Sequence, residues 1–477
     1  MVNRPSSPPQ RAGQATPRPV VTGTLVTPAR SSGALANGIS NQGISAAGAY
    51  AAPARPRFIP PPLTKIEDTG LNPLWLQDLI IKVLYFRGYL SGFQIADHIR
   101  LPFAGIVDSL LTALKRDKLV EVLTSTAGFG EGAYQYAITG AGNIRAREAL
   151  ERSQYAGPAP VPIAAYNDAI RRQSMGRPTV LQRTVRQLLS SMVISDKVFN
   201  RIGPAINSGT SMFMYGPPGN GKTTVARAIG NLILSEDMYI PYSLDIEGQV
   251  VKLYDNVNHE LARDPDSDKA GLKSDPRWIK IKRPFIVVGG ELTLAGLDLV
   301  FDDVNKYYEA PFQVKANGGM FLIDDFGRQQ VRPRDLLNRW IVPLENRIDY
   351  LTLHTGRKID VPFDVLVVFS TNLPPKDLVD EAFLRRLRHK VEIIDPTYEE
   401  FAEIFRRVAE AKKVKFSQQG LAYLLQEWYI KRNRKLRAVH PRDLCDQILD
   451  ISSYLGVEPV MTKELLEMAA TAYFVEL

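Results

Sequence analysis

Gly216-Pro217-Pro218-Gly219-Asn220-Gly221-Lys222-Thr223-Thr224 is the stretch of this chain with the most specific chemistry. It satisfies the spacing G-x-x-x-x-G-K-[ST] at every position. Its flanks agree: Ser211–Tyr215 reads as a short buried strand and Thr224–Ile233 as a helix. Glycines at 216, 219 and 221 let the backbone turn tightly and point N–H groups inward. The helix N-terminus that follows adds positive potential. Such a cradle holds a polyphosphate. Lys222 would reach the β- and γ-phosphates, and the Thr223 hydroxyl would ligate Mg²⁺.

Four later stretches could act on the same ligand. Met320-Phe321-Leu322-Ile323 runs into Asp324-Asp325, as a buried strand ending in two acids. The first, Asp324, is placed to hold Mg²⁺ through water. Val365–Phe369 is a second apolar run and leads into Ser370-Thr371-Asn372, whose amide could orient water or touch the γ-phosphate. Then come Asp380–Arg388, rich in arginine, and His440-Pro441-Arg442-Asp443-Leu444 on a helical pattern.

The order of these motifs resembles AAA+ ATPases over residues 185–477. The first three elements are similar to Walker A, Walker B and sensor 1. The resemblance implies that Arg385 or Arg388 is an arginine finger, with Arg386 an adjacent spare, and that Arg442 is a sensor 2 residue on a helical lid. It also implies ATP and Mg²⁺ as ligands and a homo-oligomeric ring, a hexamer being one option. Tyr350–Val361 reads as a hairpin before sensor 1, similar to the branch holding the MoxR-like and sigma-54-activator ATPases. One residue departs from the pattern. Most family members end Walker B in Asp-Glu, whereas Asp325 is one methylene shorter, so hydrolysis is expected to be slow. Glu291, after an apolar run, is an alternative carboxylate, with a solvated loop glutamate the plainer reading.

The elements that must position these residues make up an α/β P-loop core with a C-terminal helical lid, preceded by a winged-helix-like domain and a disordered tail. The boundaries read as follows: tail 1–70, winged-helix-like domain 71–154, linker 155–180, nucleotide domain 181–395, lid 396–477. The tail is rich in Pro, Gly, Ala and Ser and cannot bury enough apolar area to offset chain entropy. Its Arg/Ser/Ala-rich, acid-free start also resembles a transit peptide, but the frequent prolines oppose the amphipathic helix that needs. In the next unit, helices are expected at Pro73–Phe86, Ser91–Ile99, Pro102–Leu119 and Ala141–Ser153, with strands Val120–Ser125 and Tyr134–Thr139 around a glycine-rich turn. A helix Leu181–Met192 leads toward the phosphate loop. Asp264–Lys269 and Ser274–Arg277 look like exposed loops. Lid helices are expected at Tyr398–Lys412, Gln418–Tyr429, Pro441–Leu455 and Lys463–Phe474, and 429–435 as a basic patch.

Charge narrows the partners. Of 59 basic and 51 acidic residues, seven basic and no acidic ones lie in residues 1–65, so the body is nearly neutral and its pI says little about DNA. Lys115, Arg116 and Lys118 crowd the last turn of the would-be recognition helix, whose leading end is Pro102-Phe103-Ala104-Gly105. Protein docking is therefore favoured over DNA contact. No apolar run approaches the roughly 18 residues that span a membrane, so membrane insertion is not expected. The single cysteine, Cys445, suits a reducing compartment such as the cytoplasm and reads as core. The resulting expectation is an ATP-hydrolysing, chaperone-like motor that remodels a protein client recruited by the winged-helix domain or tail. The alternatives are an ATP-dependent DNA-binding regulator and an ATP-binding switch with slow turnover. A small-molecule kinase is opposed by the sensor and lid motifs.

Overall fold

The structure, a computed structural model, describes residues 58–125, 131–176, 179–262, 274–378 and 384–474. Most of the tail expected to be disordered, and the glycine turn at 126–130, lie outside these residues. The described part of the tail is packed: Phe58 meets Trp278 edge-on at 5.8 Å, Leu63 is buried, and Ile66–Thr69 forms a short helical turn. Next come α1 (Pro73–Arg87), β1 (Tyr89–Ser91) and α2 (Gly92–Ile99). Asn72 caps α1, and Ser91 caps α2 in a reciprocal box with Gln94. The third helix, α3 (Asp108–Arg116), starts six residues later than the periodicity from Pro102 suggests. The cause is Gly105, whose φ of 81° is left-handed and which lies so near the Thr64 carbonyl that a Cβ would sit 2.4 Å from it. β2 (Val120–Ser125), β3 (Tyr134–Ile138) and α4 (Gly140–Arg152) complete the unit. The sheet has three strands rather than two, antiparallel in the order β1-β3-β2.

The stretch expected as a linker is not one. It carries β4 (Val161–Pro162) and α5 (Ile163–Gln173), with Tyr166, Ala169 and Ile170 almost wholly buried. α6 (Gln182–Leu188) is shorter than expected, and α7 (Asp196–Ser208) leads into β5 (Ser211–Tyr215) and α8 (Lys222–Ile233). Beyond α8, β6 (Asp237–Pro241) pairs antiparallel with β9 (Trp278–Lys282). β7 (Ser243–Ile246) and β8 (Gln249–Lys252) join a separate sheet, which β4 extends at its edge beside β7. The Ser274–Arg277 stretch, expected to be exposed, holds an ion pair of which each side chain is only 3% exposed. Arg277 grips both oxygens of Asp275 and donates to the carbonyls of Thr69 and Pro160, each at 2.9 Å. Those partners are distant in sequence, so local composition misleads. Stranding either charge at this depth would cost about 3–5 kcal/mol. The Asp264–Lys269 loop lies outside the described residues.

The nucleotide-domain strands are β5, β10 (Phe285–Val288), β13 (Met320–Ile323), β16 (Leu366–Thr371) and β17 (His389–Glu392). All pair in parallel, in the order β10-β13-β16-β5-β17. Strand alternation sends Met212, Met214, Leu322 and Val368 to the face covered by α7 and α8. Phe213, Phe321 and Phe369 point to the other, where α10 (Pro333–Asn346) packs Leu336, Leu337 and Trp340. Burial on both faces explains why these strands read as unbroken apolar runs. The hairpin expected before Asn372 is present as β14 (Ile348–Thr352) and β15 (Lys358–Pro362). The C-terminal part is helical: α11 (Tyr398–Ala411), α12 (Gln418–Leu424), α13 (His440–Leu455) and α14 (Lys463–Tyr473) bury Phe401, Phe405, Trp428 and Cys445 in their own core. In the basic patch, Arg432 lies 4.1 Å over the Trp428 ring and Arg434 3.7 Å over Phe474. Among the described residues no helix is long and apolar enough to cross a membrane.

Candidate functional site

Parallel pairing puts the carboxyl ends of β5, β13 and β16 on one edge, so Gly216, Asp324 and Asn372 converge there although they are far apart in sequence. The phosphate loop needs its glycines. Gly216, Gly219 and Gly221 have φ of 139°, 79° and 81°. A Cβ on Gly216 would also come within 2.1 Å of the Ile393 carbonyl, and one on Gly219 within 2.6 Å of Val439. Pro217 and Pro218 carry the loop between the first two glycines. Thr224 is exposed in the first turn of α8.

Lys222 is 7% exposed and held at three points. It donates to the carbonyls of Gly216 and Pro217, both at 2.9 Å, and to Asn372 Oδ1 at 2.6 Å. Burial pushes its ammonium below the ordinary lysine range. Asp325 and Asp324 pull it back up, and Arg437 adds to the downward push. Thr223 donates to Asp324 Oδ2 at 2.8 Å, so two hard oxygen ligands meet beside the loop, as a Mg²⁺ shared with phosphate oxygens requires. Asp325 is exposed, sits in the left-handed region with φ of 49°, and accepts a bond of 3.0 Å from Asn372 Nδ2. One amide, that of Asn372, thus spans the lysine and the second acid.

The remaining sequence-derived residues lie outside this cluster. Glu291 turns back to accept from the Gly289 N–H at 2.9 Å and caps its own turn. Arg385 and Arg388 are exposed just ahead of β17, and Arg386 pairs with Glu345 at 2.6 Å. β17 runs parallel to β5 with His389 opposite Met212 and Glu392 opposite Tyr215. Arg388 is therefore level with Ser211, at the opposite end of the strand from the loop, about 16 Å from Gly216 along the strand direction alone. Residues 379–383 of that stretch are outside the described ones. Arg442, expected to face the nucleotide, is exposed and pairs with its neighbour Asp443 at 3.0 Å. A different lid arginine lies beside the loop: Arg437 pairs with Asp395, and Asp395 in turn accepts from Asn220 Nδ2 at 2.7 Å. No sequence motif marks Arg437; the available signal is its position three residues ahead of α13.

Comparison with known proteins places a family described as a domain of unknown function, DUF8689, on residues 397–472, the C-terminal helices alone. No curated protein matches. Among solved structures, the chain is similar to NtrX from Brucella abortus, at 16% identity and a TM-score of 0.35 over 62% of this chain. It spans 55% of that chain's length. NtrX from the same organism in complex with ADP gives 16% identity and 0.37, over 70% of this chain and 67% of that one. The RuvB Holliday junction branch migration motor of Thermotoga maritima gives 16% and 0.33, over 63% and 74%.

Proposed function

We propose that this chain is an ATP-hydrolysing protein of the AAA+ type that works as a homo-oligomeric assembly. The observation that carries the reading is the joint placement of Lys222, Thr223, Asp324, Asp325 and Asn372 at the carboxyl edge of the parallel sheet. The loop N–H groups and the N-terminus of α8 bind the phosphates. Thr223 and Asp324 would hold Mg²⁺, which would supply neutralisation of phosphate charge. Lys222 exchanges Asn372 Oδ1 for a γ-phosphate oxygen. Asp325, aimed by Asn372, orients the attacking water and takes its proton. Arg388 or Arg385 supplies the remaining positive charge to the site of a neighbouring copy, because the parallel register keeps both away from the loop of their own chain.

The lid encloses the nucleotide from the side of Val439 and Arg437. The α-β-α-α-β-β order of the N-terminal unit supports a winged-helix module. Its α3 offers Lys115 and Arg116 only in the last turn, and Arg116 leans on Asp117, which favours a protein client over a DNA duplex. The short acid and its bond to Asn372 support slow turnover when no client is bound. The test is nucleotide binding and phosphate release by the full chain and by Lys222→Ala. Micromolar binding with turnover, both lost by at least about 100-fold in the variant, is expected. Equal binding by the two proteins would remove the phosphate-loop reading.

A further inference from the structure

Asn220 belongs to the phosphate loop, yet its side chain is bonded to the lid. The side chain is 7% exposed and all of its bonds run to two segments outside the loop. Oδ1 accepts from the Ala438 N–H at 3.0 Å. Nδ2 donates to Asp395 Oδ1 at 2.7 Å and to the Ile394 carbonyl at 3.3 Å. Ile394 and Asp395 are where the chain leaves β17 for the lid. Ala438 lies just ahead of α13, where the lid's third helix begins. Asp395 also pairs with Arg437, so the departing and the returning segments share one carboxylate. Both segments also touch the loop backbone, Ile393 at Gly216 and Val439 at Gly219.

We propose that Asn220 is a positioning residue that couples occupancy of the phosphate loop to the position of the lid. The inference rests on the nucleotide reading above and deepens it. The chemistry explains the residue type. This position must accept from an N–H on one side and donate to a carboxylate and a carbonyl on the other, which an amide does and a carboxylate does not. When phosphate binding draws the loop N–H groups inward, Asn220 moves with the loop. Ala438 and Asp395 follow, and Arg437 with them. The lid is thereby informed of the nucleotide by a bond network that does not pass through Arg442.

The test uses the full chain and follows amide hydrogen exchange at residues 436–443 with and without Mg·ADP, together with the affinity for Mg·ADP. In the wild type, Mg·ADP slows exchange there. Asn220→Ala is expected to bind Mg·ADP about 3- to 10-fold more weakly, as loss of hydrogen bonds of this kind implies. At saturating Mg·ADP it should show little slowing at 436–443, and faster exchange at Ala438 even without nucleotide. Asn220→Asp should behave the same way. Full nucleotide-dependent slowing in Asn220→Ala or in Asn220→Asp overturns the coupling while leaving the nucleotide site standing. A wild type that binds no Mg·ADP overturns both.

Discussion

Asn372 lies at the pivot of the site because its two amide atoms do opposite jobs. Its oxygen accepts from Lys222 and its nitrogen donates to Asp325. A γ-phosphate outcompetes the neutral oxygen for the lysine, since charge-assisted bonds are roughly twice as strong as neutral ones. The nitrogen keeps its hold on the acid, so arrival of ATP leaves Asp325 aimed. Asp325 is also held in a left-handed conformation, which costs an ordinary residue about 1 kcal/mol and is the kind of strain kept at working positions. Asp325→Asn should lower turnover by about 100-fold or more with Mg·ATP affinity within about 3-fold, the mark of a residue acting on water rather than on binding. Asp325→Glu, which restores the missing methylene, should raise phosphate release several-fold. Unchanged turnover in Asp325→Asn would assign the water to another group. The strand, glycine loop and helix around Lys222 and the strand ending at Asp324 were legible in the sequence because their glycine spacing and apolar runs are local. Arg437 was not, because what places it is Asp395, 42 residues earlier.

Among the elements, α13 shows how the lid is tuned. His440 opens the helix with its ring against Tyr473 and Phe474 and Nδ1 2.9 Å from the Tyr429 hydroxyl. Burial, then Arg437 and Arg434, push its imidazole down to about 4, against the pull of Asp443 and Asp395. His440 is therefore neutral in the folded lid at pH 7, where Nδ1 and the Tyr429 hydroxyl share one hydrogen bond. As pH falls through the unfolded value near 6.5 the unfolded chain binds the proton first, so stability is lost from there down toward pH 4. About 1 kcal/mol should be gone by pH 5.5. Hydrogen exchange of α13 under urea at pH 7.5 and 5.5 should show that loss in the wild type and a smaller one in His440→Gln; equal losses would clear His440 of the effect. The lid helices were legible because each carries its apolar stripe locally, as Phe401, Phe405 and Ala409 do in α11. α5 was not, because Gly157-Pro158-Ala159-Pro160 has the composition of a linker while the partner that makes β4 a strand, β7, lies some 80 residues on. The start of α3 was hidden in the same way by Thr64, whose carbonyl sets the conformation of Gly105.

At the scale of the whole molecule, the candidate site is built from one edge of one sheet. The N–H cradle, Lys222, Thr223, Asp324, Asp325 and Asn372 are present together. The arginines that would complete the positive charge stand at the other end of β17. Arg277 donates to the carbonyls of Thr69 and Pro160, so the segments flanking the N-terminal unit on both sides are fastened to one buried side chain. The central claim is that turnover belongs to an assembly of copies. Its most direct test is ATP hydrolysis per subunit against protein concentration, for the wild type, for Lys222→Ala, for the double variant Arg385→Ala/Arg388→Ala and for an equal mixture of the two altered proteins. Specific activity should rise with concentration, and each variant alone should be inactive. The mixture should regain up to about one quarter of wild-type turnover, since a random ring pairs an intact loop with an intact arginine at that share of its interfaces. A flat concentration dependence, with Arg385→Ala/Arg388→Ala fully active or the mixture dead, would contradict the account.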